Sequence, residues 1–228
     1  MVLPLGSIIN SAAVVIGGGL GLVAGRAIGE KLRDSLFQVI GLCTVLIGLK
    51  MALVTDDLMP VILSCVLGIV TGEAVRLEKK LARAGDGLKK AFRSKNEKFT
   101  DGFITTSMVI CIGAMAIIGS LEEGLGGGPA TLLSKSILDF FVAMMMASIY
   151  GSGAVAAALP LLVYQGGLTL LAALIEPYLT DGIRLALVST GGLMMVGLGF
   201  NLLGYKSISI QNLLPALVYA VILGALMG

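Results

Sequence analysis

Between Glu123 and Glu176 the chain carries only two charged residues, Lys135 and Asp139. A surface in contact with water does not leave so long a stretch nearly uncharged. Soluble domains carry about 25% charged residues; this chain has 13%, is 57% hydrophobic, and has a mean hydropathy of +0.99. The apolar stretches are continuous runs, not the alternating segments of a membrane barrel. The fold class is therefore all-α integral membrane. The 32 glycines suit helices packed backbone to backbone in a bilayer.

A membrane span needs about 20 mostly apolar residues. The pattern predicts eight transmembrane helices, over 4–25, 35–54, 58–73, 102–120, 129–150, 152–175, 183–204 and 209–227. The N-terminal run lacks the basic segment of a signal peptide and reads as the first span. The third and fourth spans are short. The glycine-rich turn 119–129 (GSLEEGLGGGP) reads as a re-entrant or broken element, with Glu122, Glu123, Gly126, Gly127 and Gly128 as a candidate gate. The plainer alternative is a flexible external turn with two solvated glutamates.

Positive charge sets orientation. The segment 74–101 holds nine Lys or Arg, and the turn 26–34 three more. With eight spans both fall on one side, the cytoplasmic one. Asp56, Asp57, Glu122 and Glu123 then lie outside, as do both termini. The basic segment reads as one or two amphipathic helices with Leu77, Leu81, Leu88 and Phe92 toward the bilayer. Its expected partners are acidic lipid headgroups and not nucleic acid.

Residues 32–53 and 183–204 align at an offset of 151: Arg33 with Arg184, Leu36 with Leu187, Gly41 with Gly192, Val45 with Val196, Gly48 with Gly199. Pro60 and Pro215 open the following spans. The implied organisation is repeat A (1–73), the basic segment (74–101), a central helix pair (102–150) and repeat B (152–228). Spans one to three then match spans six to eight. The five-span offset is odd, so the copies are inverted, an architecture of many secondary transporters with a site near the midplane. The alternative is a duplication that merely made a stable bundle. Lys50 aligns with Asn201, and Asn10 pairs loosely with Gln165.

Lys135 and Asp139 stand at i and i+4, so they can meet on one helix face. A charge at the bilayer centre costs about 2.5–3.5 kcal/mol on insertion scales. One reading is a structural ion pair with Lys135 reaching toward the interface. The other is a polar path in which Asp139 binds a cation or a proton and Lys135 is a tethered counter-ion. Other polar residues at depth favour the path: Ser134, Ser136, Gln165, Ser189, Thr190 and Asn201. The candidate path residues are Asp139, Lys135, Gln165, Asn201, Asn10 and Lys50.

There is no His, and the cysteines are Cys43, Cys65 and Cys111, in apolar spans without metal-ligand spacing. No metal, cofactor or catalytic set is expected. A nucleophile and base would have to come from Ser or Cys with Asp or Lys, for example Ser134 or Ser136 with a lysine, and none has a diagnostic spacing. The expected function is passage of a small ion or polar solute. The alternatives are a non-transporting scaffold acting through the basic loop and, more remotely, a membrane enzyme. The glycine-rich faces GGGLG and GGLMMVGLG can seal helices within one chain or between two; a homodimer is the expected assembly, because an eight-span bundle this short has little room for two separate domains.

The motifs GSIINSAAVVIGGGLGLVAG, IGSLEEGLGGGP, KSILDFF, ALPLLVYQGGLTLLA, GFNLL and NLLPAL follow one another along nearly the whole chain. In them the chain resembles the YqgA-like family of bacterial multi-pass membrane proteins, domain of unknown function 554. The resemblance implies a location in the bacterial cytoplasmic (inner) membrane and a function that is uncharacterised or presumed to be transport. It supplies no substrate, cofactor or site residue.

Overall fold

The computed structural model describes residues 3–24, 30–91, 93–112, 114–205 and 208–227. Residues 26–29 of the predicted basic turn, and Phe92, lie outside the described residues. All regular structure among the described residues is helical. The helices are α1 (Leu5–Ala24), α2 (Glu30–Ala52), α3 (Met59–Ala74), α4 (Leu77–Ala91), α5 (Phe99–Cys111), α6 (Ala114–Gly124), α7 (Ala130–Tyr150), α8 (Ser152–Ala156), α9 (Ala158–Ile175), α10 (Asp181–Leu202), α11 (Ile210–Leu213) and α12 (Ala216–Met227).

Among the described residues, five stretches are long and apolar enough to cross a membrane: Leu5–Val23, Ala130–Tyr150, Ser152–Leu174, Asp181–Leu202 and Ile210–Met227. The count reaches seven if two bent pairs are each one span, and Gly41–Ala52 in α2 is a shorter apolar helix. One bent pair joins α3 to α4 at 64°; the other joins α5 to α6 at 76°. The break in the expected fourth span therefore falls after Cys111, upstream of the glycine-rich turn.

That turn has a simpler local role. Gly127 N–H donates to the Glu122 carbonyl at 2.8 Å and Gly126 N–H to the Glu123 carbonyl at 3.1 Å. This pair of bonds is the Schellman closure of a helix C-terminus. It requires a left-handed residue, and Gly126 supplies it at φ 88°.

The chain divides into two compact units, one of Met1–Arg33 with Ala82–Glu176, the other of Asp34–Leu81 with Pro177–Gly228. In the first unit α1 runs parallel to α7. A Cβ on Gly17 or Gly21 would overlap the backbone carbonyls of Phe140 and Met144 respectively. These two glycines, one turn apart, let the helices touch backbone to backbone. α5 runs antiparallel to α7, with Gly102 on Tyr150 near one end and Ile110 on Lys135 further along. α9 runs antiparallel to α1: Asn10 meets Gln165 and Ser11 meets Ala158.

In the second unit α2 and α10 cross through paired glycines. A Cβ on Gly48 would stand 2.8 Å from the Gly192 carbonyl oxygen, and one on Gly192 would stand 2.7 Å from that of Gly48. Gly41 and Gly199 approach in the same reciprocal way. α11 and α12 together run antiparallel to α3, with Gly72 against Asn212 of α11 and Gly68 against Ala216 of α12.

Candidate functional site

The two charges of α7 are both inside the first unit. Lys135 and Asp139 are each 5% exposed. The Lys135 ammonium is paired with Asp139 Oδ2, as the i, i+4 spacing requires. It also donates to the Ile110 carbonyl at 2.8 Å. That carbonyl belongs to the last turn of α5, where a helix end leaves its final C=O groups without donors from a following turn. The break between α5 and α6 thus supplies a backbone acceptor at depth, and the lysine takes it. Non-helical backbone is tolerated within a membrane where it is buried in protein or lines a polar path.

α1 and α9 complete the site. Asn10 Nδ2 donates to Asp139 Oδ2 at 2.9 Å and to Gln165 Oε1 at 3.0 Å. Asn10 and Gln165 have no solvent exposure at all. Each also keeps one amide atom without a hydrogen-bond partner: Asn10 Oδ1, an acceptor, and Gln165 Nε2, a donor. Thr106 Oγ1 on α5, one turn before Ile110, is in the same condition. A buried polar atom left unpaired costs on the order of 1–3 kcal/mol, so each of these atoms calls for a physical reason.

A second cluster lies toward the N-terminal end of α1. Glu123, 3% exposed, accepts from the Gly6 amide N–H at 2.6 Å and from the Thr169 hydroxyl at 3.3 Å. Ser7 Oγ is 3.5 Å from Thr169 Oγ1. The carboxylate satisfies a free N–H in the first turn of α1 and sits at the positive end of that helix. Glu122 is different: it is exposed and accepts from Thr131 at 2.6 Å. A solvated role for both glutamates therefore holds for Glu122 and fails for Glu123.

Of the six path residues expected from sequence, four meet: Lys135, Asp139, Asn10 and Gln165. Lys50 and Asn201 belong to the second unit. Lys50 is exposed in the last turn of α2. Asn201 clamps the backbone after α10, donating to the Ile208 carbonyl and accepting from the Ile208 N–H, both at 2.7 Å. Ser134 and Ser136 donate to carbonyls of their own helix, Ala130 and Leu132. Ser189 and Thr190 on α10 are fully buried, and their hydroxyls have no partner.

Five contributors escaped the sequence: Ile110, Thr106, Ser7, Thr169 and, as a buried group, Glu123. The helical spacing of Ser7 with Asn10 on α1, and of Gln165 with Thr169 on α9, was the available signal.

The model of the family "Protein of unknown function (DUF554)" matches residues 5–225. The chain belongs to the DUF554 family. It is 32% identical over 226 residues to "Uncharacterized protein YqgA" of Escherichia coli (strain K12), covering 97% of this chain and 96% of that relative. It is 29% identical over 217 residues to "Uncharacterized membrane protein YdfK" of Bacillus subtilis (strain 168), covering 93% and 92%. No solved structure matches. The DUF554 relatives bear out a membrane protein of an uncharacterised family, and the cluster around Asp139 is the chemistry this chain adds to that description.

Proposed function

We propose that this chain is a transporter or channel for a small ion or polar solute, with Lys135, Asp139, Asn10 and Gln165 lining its path. One observation carries the reading. A hydrogen-bonded ion pair sits inside an apolar helical unit, beside a helix break, with two fully buried amide atoms unspent next to it. Ionisable residues within membrane segments are costly and usually mark ion or substrate routes. A purely structural pair needs neither the break nor the spare donor and acceptor.

The finer architecture we propose is eight crossings with inverted repeats, both termini outside, in a bacterial inner membrane. Helix directions support the crossing number. Within the first unit α1 and α7 run parallel while α5 and α9 oppose them, as spans one, five, four and six must. The 151-residue offset carries Gly41 to Gly192 and Gly48 to Gly199. It therefore exchanges the contact pairs Gly41–Gly199 and Gly48–Gly192, the relation expected of two copies across a pseudo-two-fold axis.

The test is ion flux into liposomes holding the purified protein, screened over Na⁺, K⁺, H⁺ and small anions, with Asp139→Asn in parallel. Flux in the wild type, lost in a variant of unchanged fold, supports the path. Equal flux in both removes Asp139 from it.

A second reading has its own observation. α4 presents Lys79, Lys80, Arg83 and Lys90 as exposed cations, which suits acidic headgroups or a scaffold role without enzymatic activity. Neutralising these four residues while leaving α7 intact would then abolish function, and on the transport reading it does not.

A further inference from the structure

Two buried carboxylates of the first unit, Glu123 and Asp139, are joined by a ladder of polar side chains. On α1 the rungs are Ser7 and Asn10, one turn apart. On α9 they are Thr169 and Gln165, also one turn apart. The rungs pair across the antiparallel helices: Ser7 with Thr169 at 3.5 Å, and Asn10 with Gln165 at 3.0 Å. Thr169 ends on Glu123 and Asn10 ends on Asp139. Every side chain of the ladder is at most 5% exposed.

We infer that the charge carried along this path is a proton and that Glu123 is its second station; the inference rests on the transport reading above. Three features select the proton over a metal cation. Both oxygens of Glu123 already accept hydrogen bonds, one each from Gly6 and Thr169. Asp139 already has the Lys135 ammonium as its counter-cation on Oδ2 and leaves one oxygen, Oδ1, which suffices for a proton and falls short of the several oxygen ligands a metal cation takes. A proton also needs no cavity beyond room for water.

The hydroxyls of Thr169 and Ser7 pass a proton by exchange, each giving one forward as it receives one from behind. Amides do not relay in this way. The step from Ser7 to Asp139 instead requires a bridging water, for which the unspent Asn10 Oδ1 acceptor and Gln165 Nε2 donor are the available partners. The hydrogen bonds from Lys135 and Asn10 both land on Asp139 Oδ2, which leaves Oδ1 to receive the proton. A proton taken up by Glu123 reverses its hydrogen bond with Thr169, so that the carboxyl donates where it accepted before; Glu123 then loses that proton, Asp139 gains one, and water is regenerated. Lys135 keeps its bond to the Ile110 carbonyl after the pair opens. The other titratable groups near the inner station are Cys111, within electrostatic range of Lys135 and Asp139, and Tyr164, within range of Cys111.

The experiment uses proteoliposomes of the full chain with a pH-sensitive dye inside and a K⁺ diffusion potential set by valinomycin, with Na⁺ uptake followed in parallel. The wild type acidifies the lumen. Glu123→Gln, whose side-chain oxygen still accepts from Gly6, lowers the initial rate at least ten-fold, and Glu123→Asp recovers part of it. Thr169→Val, which leaves Glu123 in place, also slows acidification. Wild-type rates in both Glu123→Gln and Thr169→Val overturn the inference. Asp139-dependent flux of Na⁺ or K⁺ without a pH change overturns the proton while leaving the path intact. Silence for every ion overturns the inference and leaves the transport reading only as passage of an uncharged polar solute.

Discussion

Asn10 on α1 and Asp139 on α7 are joined by a 2.9 Å hydrogen bond between two helices that run parallel through the first unit. The same amide nitrogen reaches Gln165 on α9 at 3.0 Å, so one side chain ties three helices to the buried charge. Asn10→Ala removes a donor from a buried carboxylate, which costs about 1.5–3 kcal/mol when the partner is charged. The expected result is a lower melting temperature in detergent together with slowed flux. Asn10→Asp adds a second acid within reach of Asp139, and it is expected to be less stable at neutral pH than in acid, where one of the two carboxyls is neutral.

Lys135 and Asp139 each have one partner besides the other. Lys135 has Asp139 and the Ile110 carbonyl; Asp139 has Lys135 and Asn10. Breaking a buried pair from one side typically costs about 3–5 kcal/mol, since a charge is left uncompensated. Both Lys135→Met and Asp139→Leu are therefore expected to lower thermal stability markedly, as read by detergent melting curves. Asp139→Asn, which keeps an acceptor for Lys135, is expected to lose less.

Glycines divide by what surrounds them. At Gly48 and Gly192 a Cβ would press on the opposite backbone, whereas at Gly166 and Gly167, directly after Gln165, it would meet no atom within 4 Å. Gly48→Leu is expected to reduce the yield of folded protein severely. Gly166→Ala is expected to hold or raise stability, since Ala is favoured over Gly in a helix by about 1 kcal/mol. A reduced flux in a stabilised Gly166→Ala protein would identify the bare backbone beside Gln165 as space or flexibility the path uses.

Asn201→Ala removes both hydrogen bonds to Ile208. Each is worth about 0.5–1.5 kcal/mol net, so a loss of about 1–3 kcal/mol is expected, measured by thermal denaturation in detergent. This is the outcome for a backbone clamp, and a change in ion selectivity would instead return Asn201 to the path.

Much of this was legible in the sequence. Lys135 and Asp139 announce themselves because charge is so rare between Glu123 and Glu176, and their i, i+4 spacing predicts the pairing that forms. Asn10 and Gln165 stand out for the same reason. Glu123 was hidden by its neighbours: next to Glu122 and a run of glycines it looks like a solvated turn, and only the fold brings it under the first turn of α1. The Ile110 carbonyl was hidden because backbone acceptors have no letter of their own, and the break that frees it contains no proline. Lys50 and Asn201 were polar residues at matched repeat positions, but matching positions in two repeats need not share a site.

The most direct test replaces the ion pair by apolar residues of similar size. Buried pairs exchanged in this way often leave stability unchanged or raised. The double variant Lys135→Met/Asp139→Leu is therefore expected to be at least as stable as either single variant. If the pair lines a transport path, this well-folded protein carries no ion across proteoliposomes in which the wild type does. Wild-type flux from the double variant would contradict the account and leave Lys135 and Asp139 as a structural pair.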